Sequence, residues 1–205
     1  MSDSNQEGPI LAVDLARRLA GDAEYQAALS KHEVDRAQAM AELSAAERPI
    51  VIDLDDVGIR VDSVWDLLNS TSRPPFYSDA LPVLLHHLKK GGYPDRVLDG
   101  LARALTVKPQ GTAYWIDLRD AYLKTAPESE AATGLANALG VLAAKRHYTE
   151  LTRLVTDERR GSERLMMLKA VRRLGGESGR QVLGDLALHP LLGKEASHLL
   201  RRVRR

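Results

Sequence analysis

The densest gathering of chemically capable side chains in this 205-residue chain is "AYWIDLRDAY" at 113–122. Tyr114, Trp115, Asp117, Arg119 and Asp120 place aromatic and acidic groups within three turns of a helix, a combination that suits holding a flat substrate beside a carboxylate. Helical spacing argues for a different use. Trp115, Leu118 and Tyr122 share one stripe, and Asp117 and Asp120 lie on the other side. The aromatic residues are therefore expected in a core, and no catalytic residue is assigned.

A second candidate is basic. Arg96 and Arg103 stand two turns apart, and Arg172, Arg173, Arg201 and Arg202, followed by Arg204 and Arg205, recur near the ends of helical segments. Guanidinium groups in a row suit carboxylates or phosphates, because each presents a planar fork of donors. The same residues also complement the negative end of a helix dipole. Nucleic-acid surfaces usually add stacking aromatics, and the C-terminal part offers only Tyr148. An acidic protein partner is accordingly preferred, with nucleic acid as the competing reading.

Other chemistries lack their residues. The six histidines have no ligand spacing: His86 and His87 are adjacent and point about 100° apart on a helix, and His32, His147, His189 and His198 are scattered. Neither a metal nor a cofactor is expected. The absence of cysteine excludes thiolate sites and disulfides. "GGESGR" at 175–180 lacks the Lys-Ser/Thr ending of a phosphate loop and follows a helix, so it reads as a turn between helices.

The chain's totals set the setting. Its N-terminus, "MSDSNQEGPILAVDLARRLAGD", carries charges within its apolar run, unlike a signal peptide, and no run of about 18 uncharged apolar residues exists. A cytoplasmic protein without a membrane span is expected. The net charge of +1 hides a polarity: residues 1–62 hold 6 Lys/Arg and 13 Asp/Glu, a balance of −7, and residues 145–205 hold 15 and 7, a balance of +8. This separation steers an anionic partner to the C-terminal end, or else describes two solvated faces.

The elements that must position these residues read as helices, since Ala, Leu, Arg and Glu abound and β-branched residues rarely cluster. Residues 1–8 are expected to be disordered. Leu11, Leu15 and Leu19 mark a helix from Pro9 to about Ala20 that stops at Gly21. Asp22 then caps a longer helix to about Glu47 whose stripe (Tyr25, Leu29, His32, Arg36, Met40, Leu43) is weak, and which is expected to cover the first hairpin. Ile50, Val51 and Ile52 invite a strand, but Pro49 at a helix start and Gly58 as a stop favour a short helix. Ser63 and Asp66 resemble a capping box, with Trp65 as a core anchor, and "STSRPPFYSD" is a loop.

From residue 78 the pattern repeats. "SDALPVLLHHLKKGG" is followed by a partner helix from Pro94, "TAYWIDLRDAYLKTA" by "ESEAATGLANALGVLAA", "HYTELTRLVTDE" by "SERLMMLKAVRRLGG", and "SGRQVLGDLALHP" by "KEASHLLRRVRR". "GLARAL" at 100–105 returns as "GLANAL" at 134–139. Gly100, Gly134, Met167 and His198, taken as equivalent, are spaced 34, 33 and 31 residues apart. A period in the thirties with two helices per unit predicts an α-solenoid, in which each hairpin leaves an apolar face that only a neighbour covers. Gly100 and Gly134 are expected where helices pack closely.

These units, especially "LPVLLHHLKKGGYPDRVLDGLARAL" and "ERLMMLKAVRRLGG", resemble the HEAT-repeat group of the armadillo-like superhelices over roughly residues 78–205, and from about 50 in a longer reading. The resemblance extends to small bacterial HEAT-repeat proteins. It implies an all-α, right-handed superhelix of four to five helix pairs over 49–205, preceded by an acidic helical extension at 9–48. It also implies a non-catalytic protein-interaction module that binds on its concave surface, with Arg96, Arg103, Arg172, Arg173, Arg201 and Arg202 as the partner-binding residues. A minority of such proteins bind nucleic acid or act as DNA glycosylases, and Asp117 would then be the acid. The oligomeric state stays open.

Overall fold

Apolar residues at helical spacing, interrupted by glycine, proline and short polar turns, leave the chain little choice but helix. The computed structural model describes residues 19–69 and 77–201, and every regular element among them is helical. The expected disorder at 1–8, most of the helix expected from Pro9, the loop segment 70–76 and Arg202 lie outside the described residues. The chain divides into two compact units, Met1–Glu42 and Leu43–Arg205.

In the first unit, Asp22 accepts the backbone N–H groups of Glu24 and Tyr25 at 3.0 Å, which starts helix α1 (Ala23–Asp56) as its sequence predicts. Tyr25, Leu29 and Met40 of the weak stripe are exposed, and its last member, Leu43, the first residue of the second unit, is partly buried against that unit's core.

The expected helix break at Pro49 does not occur, because α1 runs through it to Asp56. A proline inside a helix costs about 3 kcal/mol through its missing N–H and its ring. Ile50 and Leu54 are fully buried one turn apart just beyond it, each stabilising by about 1.5–3 kcal/mol, and this burial outweighs the penalty. Buried Glu47 adds a tie by accepting the Val64 N–H at 3.1 Å. The helix ends where the sequence places its stop. Gly58 takes φ 82°, its N–H reaches Asp55 O at 2.8 Å, and the Ile59 N–H reaches Leu54 O at 2.9 Å, while Ile59 is itself buried.

The capping box at Ser63 forms. The Trp65 N–H donates to Ser63 Oγ at 3.2 Å and the Ser63 N–H to Asp66 Oδ2 at 3.0 Å, although the turn it opens, Val64–Leu67, is a 3-10 helix. The paired helices follow: α2 (Ala80–Lys90) with α3 (Asp95–Ala104), α4 (Trp115–Lys124) with α5 (Glu130–Leu142), α6 (Tyr148–Thr156) with α7 (Leu165–Asp185), and then α8 (Gly193–Arg201). The turn expected at "GGESGR" lies within α7. Gly176 has φ 56° and ψ −120°, a left-handed conformation open to glycine, so α7 is two helices meeting at a kink.

Each helix packs on its pair partner, and the second helices also pack on one another, α3 against α5 and α5 against α7. The α3–α5 contact is the most extensive among the described helices, whereas the first helices of those pairs, α2 and α4, barely meet. Small residues allow the close approach: Ala102 and Ala104 on α3, and Ala131, Ala132, Gly134, Ala136, Ala138 and Gly140 on α5, are all buried, while Gly100 lies against Trp65 and Val64. Trp115, Leu118 and Tyr122 of α4 are buried with them.

Candidate interaction surface

With their small residues turned to each other, the second helices show solvent their remaining face. On α3 that face carries Arg96 and half-buried Arg103, on α5 Glu130 and Val141, and on α7 Met166, Lys169 and Arg173 with half-buried Arg172. Four of the six arginines singled out in the sequence therefore stand on α3 and α7, two helices separated by α5, and Arg201 stands exposed at the end of α8.

Their electrostatic settings differ. Asp99, 4 % exposed at the α3–α5 seam, is shared by two guanidinium groups: Arg103 Nε lies 2.6 Å from Oδ1 and Arg96 Nη1 lies 3.8 Å from Oδ2. Arg96 also sits 3.9 Å above the ring of half-buried Trp65, and Gly100, one turn on along α3, lies against the same indole. Two cations sharing one carboxylate leave the seam with net positive charge. Arg173 Nη2 donates to Gly140 O and Ala143 O, both at 3.2 Å, and so closes the C-terminus of α5. Arg172, Arg201 and Lys169 make no ion pair among the described residues, leaving their charges available.

The aromatic and acidic stretch separates as its spacing predicts. The Trp115 indole N–H donates to Leu139 O at 3.1 Å inside the core, and its ring stacks on buried His147 at 4.2 Å. Asp117 instead pairs with Lys89 at 2.8 Å, and Asp120 pairs with its neighbour Arg119. Between them, Leu88, Leu98, Ala121 and Leu135 floor a groove of about 310 Å3 rimmed by Lys89, Asp117, Asp120 and Lys124. No buried ring adjoins a free carboxylate there.

Sequence reading missed a buried polar network in the loop before α7. Arg160 donates to Tyr122 O and Thr125 O at 2.7 Å, closing the C-terminus of α4, and its guanidinium lies 4.4 Å from the Tyr122 ring centre. Arg164, 1 % exposed, donates to Val155 O and Gly161 O at 3.0 Å and faces His189 Nε2 at 3.2 Å. Glu163 accepts from the Tyr122 hydroxyl at 3.5 Å, and burial together with this carboxylate holds the phenol's pKa well above its usual range. "ERRGSER" resembles a solvated turn in sequence, and nothing local marks two of its arginines as buried.

The histidines are structural or exposed. His87 lies buried with Nε2 at 2.9 Å from Asp53 Oδ2 and Nδ1 at 2.6 Å from the Tyr93 hydroxyl. A neutral ring that donates to the carboxylate and accepts from the phenol satisfies both contacts, and burial holds the pKa below its ordinary 6.5 against the pull of Asp53. Among the described residues no three His, Asp or Glu side chains are placed to hold a metal ion, and no helix is long and apolar enough to cross a membrane. No protein-family model, curated protein or solved structure matches the chain.

Proposed function

We propose that this chain is a non-catalytic interaction module, a HEAT-like right-handed α-solenoid that binds an acidic protein partner on its second-helix surface. The observation that carries the reading is the asymmetric packing. Second helices drawn together by Gly and Ala, with first helices held apart, curve a stack toward the second-helix layer and make that layer concave. Arg96, Arg103, Arg172 and Lys169 then line one preformed surface, which needs little ordering on binding and selects carboxylates by charge. Arg173 supports the surface by closing α5, and Arg201 extends it toward the end of α8, while Arg202 lies outside the described residues.

Nucleic acid is the second reading, favoured by the balance of +8 over residues 145–205. Affinity capture from native lysate, with and without nuclease, separates the two. A stoichiometric acidic protein that survives nuclease, and is lost with the Lys169→Glu/Arg172→Glu double variant, supports the module. Capture that collapses after nuclease and weakens steeply with salt assigns the same residues to phosphates. Neither substituted side chain has an ion-pair partner among the described residues, so the fold should tolerate both.

A further inference from the structure

The second unit begins and ends on surfaces of opposite charge, and each exposes apolar groups as well. Where it begins, the last turns of α1, the loop after it and the Val64 turn border an open cleft of about 530 Å3. Val51, Ile52 and Val61 supply its apolar floor and Asp55, Asp56 and Asp62 its acidic rim. Ile52 is 52 % exposed. Arg60 offsets one of these charges by pairing with Asp55 at 3.4 Å, while Asp56 and Asp62 make no ion pair among the described residues. Asp66 also lines the cleft but is held by the Ser63 cap.

Where the unit ends, Leu188 is 96 % exposed and Leu191 is 48 % exposed. Lys194, His198 and Arg201 follow along α8 at positions i, i+4 and i+7, all exposed, with Glu195 as the only acid on that helix. Leu188 and Leu191, in the segment that leads into α8, are large apolar groups that nothing among the described residues covers.

We propose that a second copy of this chain covers these surfaces head to tail. Leu188 and Leu191 of one copy seat on the Val51, Ile52 and Val61 floor of the next, with Lys194, His198 and Arg201 facing Asp55, Asp56 and Asp62. The two surfaces differ, so the contact is heterologous and leaves one free end of each kind, and it propagates as an open series or closes into a ring. The contact is separate from the second-helix surface except at Arg201, which the test variants leave intact.

Sedimentation velocity on the full chain tests this over about a hundredfold range of concentration, at low and at high salt. The mass of the native chain should rise with concentration and fall with salt. Leu188→Glu alone, and Asp55→Lys with Asp56→Lys, should each weaken association at least about tenfold. Both leave the fold intact, since Leu188 is almost wholly in water and lysine suits the C-terminal turn of α1, and unchanged thermal unfolding verifies this. Mixed together, the two variants should form a 1:1 dimer that grows no further, because each retains the end the other lacks. A native chain that stays monomeric throughout, an assembly that either variant leaves intact, or a mixture that stays monomeric would each overturn the proposal.

Discussion

Arg160, Arg164 and Arg173 direct their guanidinium groups at backbone carbonyls, and each closes the C-terminus of a helix: α4, α6 and α5 respectively. The most deeply buried member, Arg164, has the most at stake, because removing its guanidinium takes the side-chain donor from Val155 O and leaves Gly161 O only the residue-164 N–H at 3.4 Å, away from water. Arg164→Ala should lower the unfolding free energy by about 3 kcal/mol, seen as a reduced urea midpoint with an unchanged slope. Arg164→Lys should recover only part of it, since an ammonium lacks the planar fork that reaches two carbonyls.

Two histidines set a pH dependence at the same scale. His87 and His147 both have pKa values lowered by burial, with Arg146 adding to the effect at His147. Native rings that resist protonation mean that the unfolded chain binds more protons below its own pKa of 6.5. Their contribution is therefore complete above pH 6.5 and is lost as the pH falls below it toward the folded-state values. Urea midpoints measured from about pH 8 to about pH 5 should decline over the lower half of that range. A level profile would refute this account of both sites.

At the scale of the element, the α3–α5 seam depends on what glycine lacks. A Cβ placed on Gly134 would stand 2.8 Å from Asp99 Cα and 2.9 Å from Asp99 O, so the helix axes would have to separate. Gly134→Ala should destabilise by about 1–3 kcal/mol despite alanine's better helix propensity. Gly184, within α7, has nothing within 4 Å of the same position, and Gly184→Ala should stabilise by up to about 1 kcal/mol. Opposite signs in paired thermal melts would establish close packing as the reason for Gly134. The repeated "GLARAL" and "GLANAL" thus mark where helices meet, although the two glycines meet different neighbours, Trp65 for Gly100 and Asp99 for Gly134.

For the whole molecule, the charge polarity visible in sequence acquires locations. Asp55, Asp56 and Asp62 cluster around the end of α1, and Lys169, Arg172, Lys194 and Arg201, none of them in an ion pair among the described residues, stand on α7 and α8. In the proposed solenoid, the arginine face serves an acidic partner and the two ends serve further copies. Both interactions weaken with salt, but they respond to different substitutions. The Lys169→Glu/Arg172→Glu variant should lose the partner and still assemble, whereas Leu188→Glu should do the reverse.

Local pattern alone determined the helices. The 3.6-residue stripes of Leu84 and Leu88, or of Trp115, Leu118 and Tyr122, are set by neighbours in the chain, as are the Ser63 cap, the Gly58 stop and the Gly176 turn. Contacts distant in sequence decided the rest. Pro49 stays inside a helix because Ile50 and Leu54 find a core. Arg160 and Arg164 are buried because helix ends arriving from elsewhere in the chain leave carbonyls to satisfy. Arg96 and Arg103 share Asp99, and Arg173 is drawn to α5, whereas Arg172 keeps its charge free. Periodicity reports which face of a helix is apolar, but an arginine looks the same in sequence whether its partner is water, a carbonyl 30 residues away or another molecule.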